Sequence, residues 1–214
     1  MQASKPSLVF DHIAVLARSL EEGADYVRSA LGVDMPTGGA HPRMGTHNLL
    51  MSLGPDCFLE VIAIDPGAAS PTRPRWFGLD NFDGKPRLGA WVLGARNIGA
   101  ALDGIQSISG PAIEMTRGHL RWSMSVREDG ELPLSGAFPK LLQWPEGAHV
   151  ASKMGDLGCR FESLKITSPE AHRISDWLDG KLDDPRIQIE RGETSLTAVI
   201  ETPSGLRMLN SSEE

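Results

Sequence analysis

The stretch from Leu8 to Leu31 constrains the fold more than any other part of the chain. Leu8-Val9-Phe10-Asp11-His12-Ile13-Ala14-Val15 alternates as a strand does. A polar turn at Arg18-Ser19 follows, and Leu20, Ala24, Val27 and Leu31 then recur at helical spacing until Gly32 stops them. Ser19 is the expected N-cap, with Glu21 and Glu22 favourable in the first turn. The same strand-then-helix pattern returns near residues 88–106 and 160–179. A unit of this kind cannot bury its apolar faces alone, so copies must pack against one another. Only the first copy carries a histidine within its strand, His12.

Following the chain from each copy gives three β-α-β-β-β units. Residues 1–65 form the first, with a glycine-rich loop over 38–48 and a strand pair around the turn Gly54-Pro55-Asp56. That loop is no phosphate loop, because no Lys-Ser/Thr closes it and no helix follows. Residues 66–87, with Pro66, Pro71, Pro74 and Pro86, read as a linker holding a short helix near Trp76-Phe77. The second unit covers 88–150, with a helix over Asn97–Ile105 and strands at Ala112–Thr116, His119–Arg127 and Phe138–Trp144. The third covers 151–214, with Ser168 capping a helix that runs through Leu178. The expected class is α+β, a curled mixed sheet forming a cup, with helices on its outer face.

Composition excludes several classes of function. A net charge of −7 argues against nucleic acid as the main partner. No apolar run reaches the roughly 20 residues of a membrane span, and the first residues lack a signal peptide's apolar stretch. Cys57 and Cys159 stand far apart without metal-type spacing, as reduced core thiols of a cytoplasmic protein would. The partner expected is a small molecule.

Strand parity nominates the site. Phe10, His12 and Ala14 share one face, which is left free if the helix takes the Ile13 and Val15 face. Glu60 lies within the apolar run Cys57–Ile64, where a carboxylate needs a partner, and His12 is the simplest one. Phe58 shares the parity of Glu60. His41 lies in the glycine-rich loop, and Asn48 has the parity to face the cup where His47 does not. In the strand over 120–126 the apolar set is expected toward the helices. That leaves Arg121 and Ser123 in the cup, suited to a carboxylate or phosphate. Trp91 and Trp144 are expected in the core, with Trp76 and Phe77 across the opening.

Asp11-His12-Ile13-Ala14-Val15, then Ala30-Leu31-Gly32-Val33, then Leu59-Glu60-Val61-Ile62 resembles the first module of the vicinal oxygen chelate superfamily. The loop Gly38-Gly39-Ala40-His41-Pro42…Gly45-Thr46-His47-Asn48 is similar to its long, glyoxalase-like branch. The resemblance implies a cup shared by two modules, often holding a divalent metal with one ligand from the first and one from the last strand of each. His12 and Glu60 match the first pair, whereas Ala90 and Gln143 stand at the second. One metal (Zn, Mn, Ni or Fe) bound lopsidedly by His12 and Glu60 is one reading, and a metal-free site is the other. The implied function is an isomerase- or lyase-type enzyme acting on a small oxygenated metabolite. His12 and Glu60 would be its acid/base pair, with Gln143 and Arg121 positioning substrate. The alternative is a metal-free binding or sequestration protein, as in resistance-type relatives. Glyoxalase I activity itself is not expected. An odd third module is expected to pack on the cup or to form a homodimer contact.

Overall fold

The computed structural model describes residues 7–147 and 149–211. Its first unit is β1 (Leu8–Leu16), α1 (Leu20–Leu31), β2 (Thr37–His41), β3 (Thr46–Ser52) and β4 (Phe58–Ile64). The second is β5 (Arg87–Ala95), α2 (Ile98–Ala101), α3 (Gln106–Ser109), β6 (Ala112–Arg117), β7 (Leu120–Ser125) and β8 (Lys140–Gln143). The third is β9 (Arg160–Ser168), α4 (Ala171–Leu178), β10 (Ile187–Arg191), β11 (Ser195–Thr202) and β12 (Gly205–Asn210). Single 3-10 turns cover Trp76–Asn81, Pro133–Gly136 and Val150–Lys153. The α+β class holds, with refinements at two places. Thr37–His41 of the glycine-rich loop is strand, because pairing with β3 overrides the weak strand preference of its glycines. The helix expected over 97–105 is broken in two, and Gly104 in the left-handed region lies at the break.

The first two units merge into one eight-stranded sheet in the order β2-β3-β4-β1-β5-β8-β7-β6. β1 pairs in parallel with β4, as β5 does with β8, and β1 and β5 meet antiparallel at the centre. Across that seam His12 faces Val92, Ile13 faces Trp91 and Ala14 faces Ala90. Exchanging the two strands about this local two-fold carries His12 onto Ala90. The same exchange turns the pair Ala14–Glu60 into Val92–Lys140, so Lys140 is the counterpart of Glu60. The sheet curls until its edges approach, and the Arg43 guanidinium on the β2 side donates to the Glu114 carbonyl on β6.

Each central strand also slips once in register, at Asp11 on β1 and at Gly89 on β5. An extra residue at such a bulge reverses the side-chain alternation beyond it. Phe10 therefore packs outside with Ile13 and Val15, stacking on Phe161 at 4.1 Å, and does not share the face of His12 as alternation predicts.

The outer face carries most of the core. α1 lies on it, capped at Ser19 and ended by Gly32 in the left-handed conformation. The third unit forms a separate four-stranded sheet, β10-β9-β11-β12, laid against the same face. Its element order repeats the first unit, but its wiring differs: β9 pairs in parallel with β10, the strand next after its helix. Leu8 N–H donates to the Lys181 carbonyl and Phe161 N–H to the Leu53 carbonyl, stitching this sheet to the first. Cys57 and Cys159 are buried free thiols in that layer. Among the described residues no helix is long and apolar enough to cross a membrane.

α1 approaches β4 so closely that a Cβ on Gly23 would lie 2.3 Å from Val61 Cγ1 and 3.0 Å from Ala17 Cβ. Alanine gains up to about 1 kcal/mol of helix propensity there, but overpacking costs about 1–3 kcal/mol. Chemical denaturation of Gly23→Ala is expected to show a net loss of about 1 kcal/mol. A more stable variant would contradict this packing.

Candidate active site

The inner face of the curled sheet holds a small cavity, lined on the first half by His12, Glu60, Phe58, His41 and Asn48. The sequence nominated all five. β1 and β4 lie side by side, so His12 and Glu60 project from adjacent strands, with Nε2 3.5 Å from Oε2. Phe58, directly opposite His12 in the register, stacks on the imidazole at 4.3 Å between centroids.

The bulge at Asp11 adds a buried carboxylate to the site. The Nδ1–H of His12 donates to Asp11 Oδ1 at 2.6 Å. Asp11 Oδ2 accepts from the Trp144 indole at 2.8 Å and from His149 Nε2–H at 2.9 Å. Because His149 Nδ1 accepts from Ala151 N–H, its tautomer is fixed with the proton on Nε2. On the other side, the Asn48 amide donates to Glu60 Oε1 at 2.7 Å, and its own oxygen accepts from Gly39 N–H at 2.8 Å. Glu60 is held by one oxygen and keeps the other toward His12.

These contacts set the charges. Burial opposes an imidazolium at His12, but the hydrogen bond to Asp11 and the negative charges of Asp11 and Glu60 outweigh it and lift the pKa to about 9. Burial likewise opposes a charged Asp11, and its bonds to His12 and His149 bring the carboxyl below its usual range. Glu60 is also lowered, against its burial, by His12 and by the Asn48 hydrogen bond. At neutral pH the site holds an imidazolium between two carboxylates. The Nε2–H of that imidazolium is buried and has no well-formed hydrogen bond, since Glu60 stands too far off.

His41 behaves differently. Burial pushes its pKa down to about 4, so it is neutral. Its Nδ1–H donates to Thr46 Oγ1 at 3.1 Å, and Trp76 donates to the same oxygen at 3.0 Å. His41 thus helps to fix Trp76 across the cup, and Phe77 lines the cup beside it, as expected.

The second half departs from expectation. Trp122, Met124 and Leu142 line the cavity, and Arg121 and Ser123, alternating with them on β7, do not. Alternation alone does not say which side turns inward, and here the inner face is the apolar one. Gln143 is likewise turned away, its side-chain oxygen accepting from Ile98 N–H at 2.8 Å at the start of α2. Trp144 is a wall residue, not core. The cation at the cavity is Arg117, 3.5 Å from the Asn48 oxygen. Its position at the end of β6 gave no signal in the sequence, nor did His149, 138 residues from its partner.

A metal would find two donors here, His12 Nε2 and Glu60 Oε2. Catalytic zinc sites use three protein ligands and structural sites four. Ala90 and Lys140 occupy the counterpart positions, and among the described residues no group of three His, Cys, Asp or Glu side chains is placed to hold an ion. The donor set does not fit a metal centre.

The glyoxalase-like domain model matches residues 10–182. A hypothetical protein from Staphylococcus aureus shares the fold, with 17% identity, 87% of each chain covered and a TM-score of 0.59. One from Bacillus halodurans is 15% identical over 66% of this chain and 98% of its own, with a TM-score of 0.45. A Streptomyces coelicolor methylmalonyl-CoA epimerase in complex with 2-nitronate-propionyl-CoA is 16% identical over 65% of this chain and 96% of its own, with a TM-score of 0.41. No curated protein matches the sequence. With its matched region spanning both halves of the cup, the chain belongs to the glyoxalase-like domain family.

Proposed function

We propose that this protein is an isomerase-type enzyme that moves a proton on the carbon beside a carbonyl of a small, anionic metabolite. The observation that carries this reading is the pairing, at 3.5 Å, of a positively charged His12 whose Nε2–H is free with a negatively charged Glu60. A carbonyl oxygen accepting from Nε2–H is polarised, and the charge that develops as an enolate forms falls on that oxygen. Glu60 Oε2 takes the proton from the neighbouring carbon and returns it. A resting Glu60 carboxylate is a weak base because His12 neutralises it. Substrate oxygen on Nε2–H takes up part of that positive charge and makes Glu60 more basic. His12 therefore acts as the electrophile and Glu60 as the base, the reverse of the usual assignment of base to histidine.

The rest of the cavity fits the same substrate. Trp76, Trp122 and Trp144 exclude water and face an apolar or planar body. Arg117 offers a fork-shaped donor for a carboxylate, the part expected of Arg121. No step requires a metal. The aromatic walls also suit the second reading, a protein that binds such a compound without turning it over.

Proton transfer is tested by incubating the protein in D2O with a panel of small 2-oxo and 3-oxo carboxylates and following loss of the α-proton signal by NMR. Wild type is expected to exchange at least one member, and Glu60→Gln to be about 100-fold slower or worse while still binding it. Binding without exchange in the wild type would favour sequestration, and unimpaired Glu60→Gln would remove Glu60 from the chemistry. The pH profile carries a separate prediction. His12 is active when protonated, so kcat/KM should fall as pH rises through about 9. Asp11→Asn removes a charge that raises the His12 pKa, and the alkaline limb should move down by about one pH unit. An unmoved limb would show that it does not report His12.

A further inference from the structure

The second half of the cup buries a lysine that the proton-transfer chemistry does not use. Lys140 is buried at the position related by the local two-fold to Glu60. Val92, its register partner, and Leu142, two residues on, both belong to the inner apolar cluster, so Lys140 projects into the concave face. Its Nζ has no hydrogen-bond partner among the described residues and lies 5.0 Å from the centroid of the Phe77 ring.

An ammonium there would be a buried charge without a counter-ion, a costly arrangement. The charges that act on it are cations, Arg73 and Arg127. Arg127 is bound by Asp129 and by the carbonyls of Ser107 and Ile108, and Arg73 donates to the Arg127 carbonyl. Burial first, and then these two guanidinium groups, lower the Lys140 pKa to about 7. Desolvation beside another cation is the way a lysine becomes a neutral nucleophile near physiological pH.

Backbone strain gathers around the same side chain. Among the described residues, the non-glycine positions with positive φ are Phe77 (60°), Leu134 (46°) and Ser135 (55°). Phe77 covers the amine, and Leu134 and Ser135 lie in the 3-10 turn just before β8. Strain of this kind persists where the surrounding structure enforces it. Phe77 also lines the His12 cavity on one side and, with Gly78, Leu132 and Ser135, a second cavity on the other. The ring beside the amine thus borders both cavities.

We propose that Lys140 is a second reactive centre, an amine that condenses with the carbonyl of a small aldehyde or 2-oxo acid admitted when the Phe77 ring turns aside. The Nζ lone pair adds to the carbonyl carbon, and the amine proton passes to the oxygen. A proton from solvent lets that oxygen leave as water, which gives a protonated imine, and hydrolysis returns both partners and the proton. No oxidant or reductant takes part. Arg73 and Arg127 favour an anionic carbonyl compound. This centre is independent of the His12–Glu60 chemistry.

The test treats the folded full chain at pH 7 with glyoxylate and sodium cyanoborohydride, which reduces any imine to a stable amine, and maps the modified lysines by peptide mass spectrometry. An amine with a pKa near 7 holds about a thousandfold more of its neutral form than an ordinary lysine. Even behind Phe77, Lys140 should be modified about tenfold faster than the exposed Lys153 and Lys165. Phe77→Ala, if it folds, should raise the Lys140 rate further. Modification of Lys153 and Lys165 at or above the rate of Lys140, or modification of Lys140 only after denaturant is added, would overturn the proposal.

Discussion

The chain of buried charges Asp11–His12–Glu60 is the constraint on which the rest of the cup depends. Three ionisable side chains out of water survive only if each is paired, because an isolated buried charge costs several kcal/mol. The fold meets this by placing β1 beside β4, by bulging β1 at Asp11, and by bringing Trp144 and His149 back from the far end of the second unit. His12 has a raised pKa, so its ionic contribution to stability is complete below its unfolded value near 6.5 and is lost as pH rises through about 9. Asp11 and Glu60, with lowered values, lose theirs as pH falls. The charged cup is therefore most secure near neutrality and weakens on either side.

A nearly symmetric sheet carries an asymmetric chemistry. The two-fold that relates β1 to β5 sets His12 against Ala90, Asp11 against Gly89 and Glu60 against Lys140. One half concentrates charge and hydrogen bonding. The other supplies apolar walls, Trp122, Met124 and Leu142, and a single buried amine. One concave surface thus carries a corner of paired charges and, apart from it, a buried amine. This division, more than any one residue, separates the site from a four-ligand metal cup.

The fold was legible because its signals are local and periodic. The β1 pattern, the Ser19 cap and Gly32 stop of α1, and the apolar run of β4 each announce an element, and their recurrence announces a shared sheet. The first half of the site was legible for a related reason: a histidine and a glutamate inside apolar strands must find each other. In the second half, strand parity does not tell which side turns inward. The inner face there is apolar, which puts Arg121 and Ser123 outside and turns Gln143 to the end of α2. The bulge at Asp11 misplaced Phe10, since one extra residue reverses every assignment beyond it. Arg117, Trp144 and His149 reach the site through tertiary closure, which leaves no trace in local spacing.

The ionisation of His12 tests this account most directly. In protein labelled with 15N-histidine, NMR titration should show both ring nitrogens of His12 protonated at pH 7.5, with the charge lost near pH 9. The resonance is assigned by its absence in His12→Gln. A neutral His12 ring at pH 7.5, titrating at or below the ordinary value near 6.5, would contradict the charged triad and the roles derived from it.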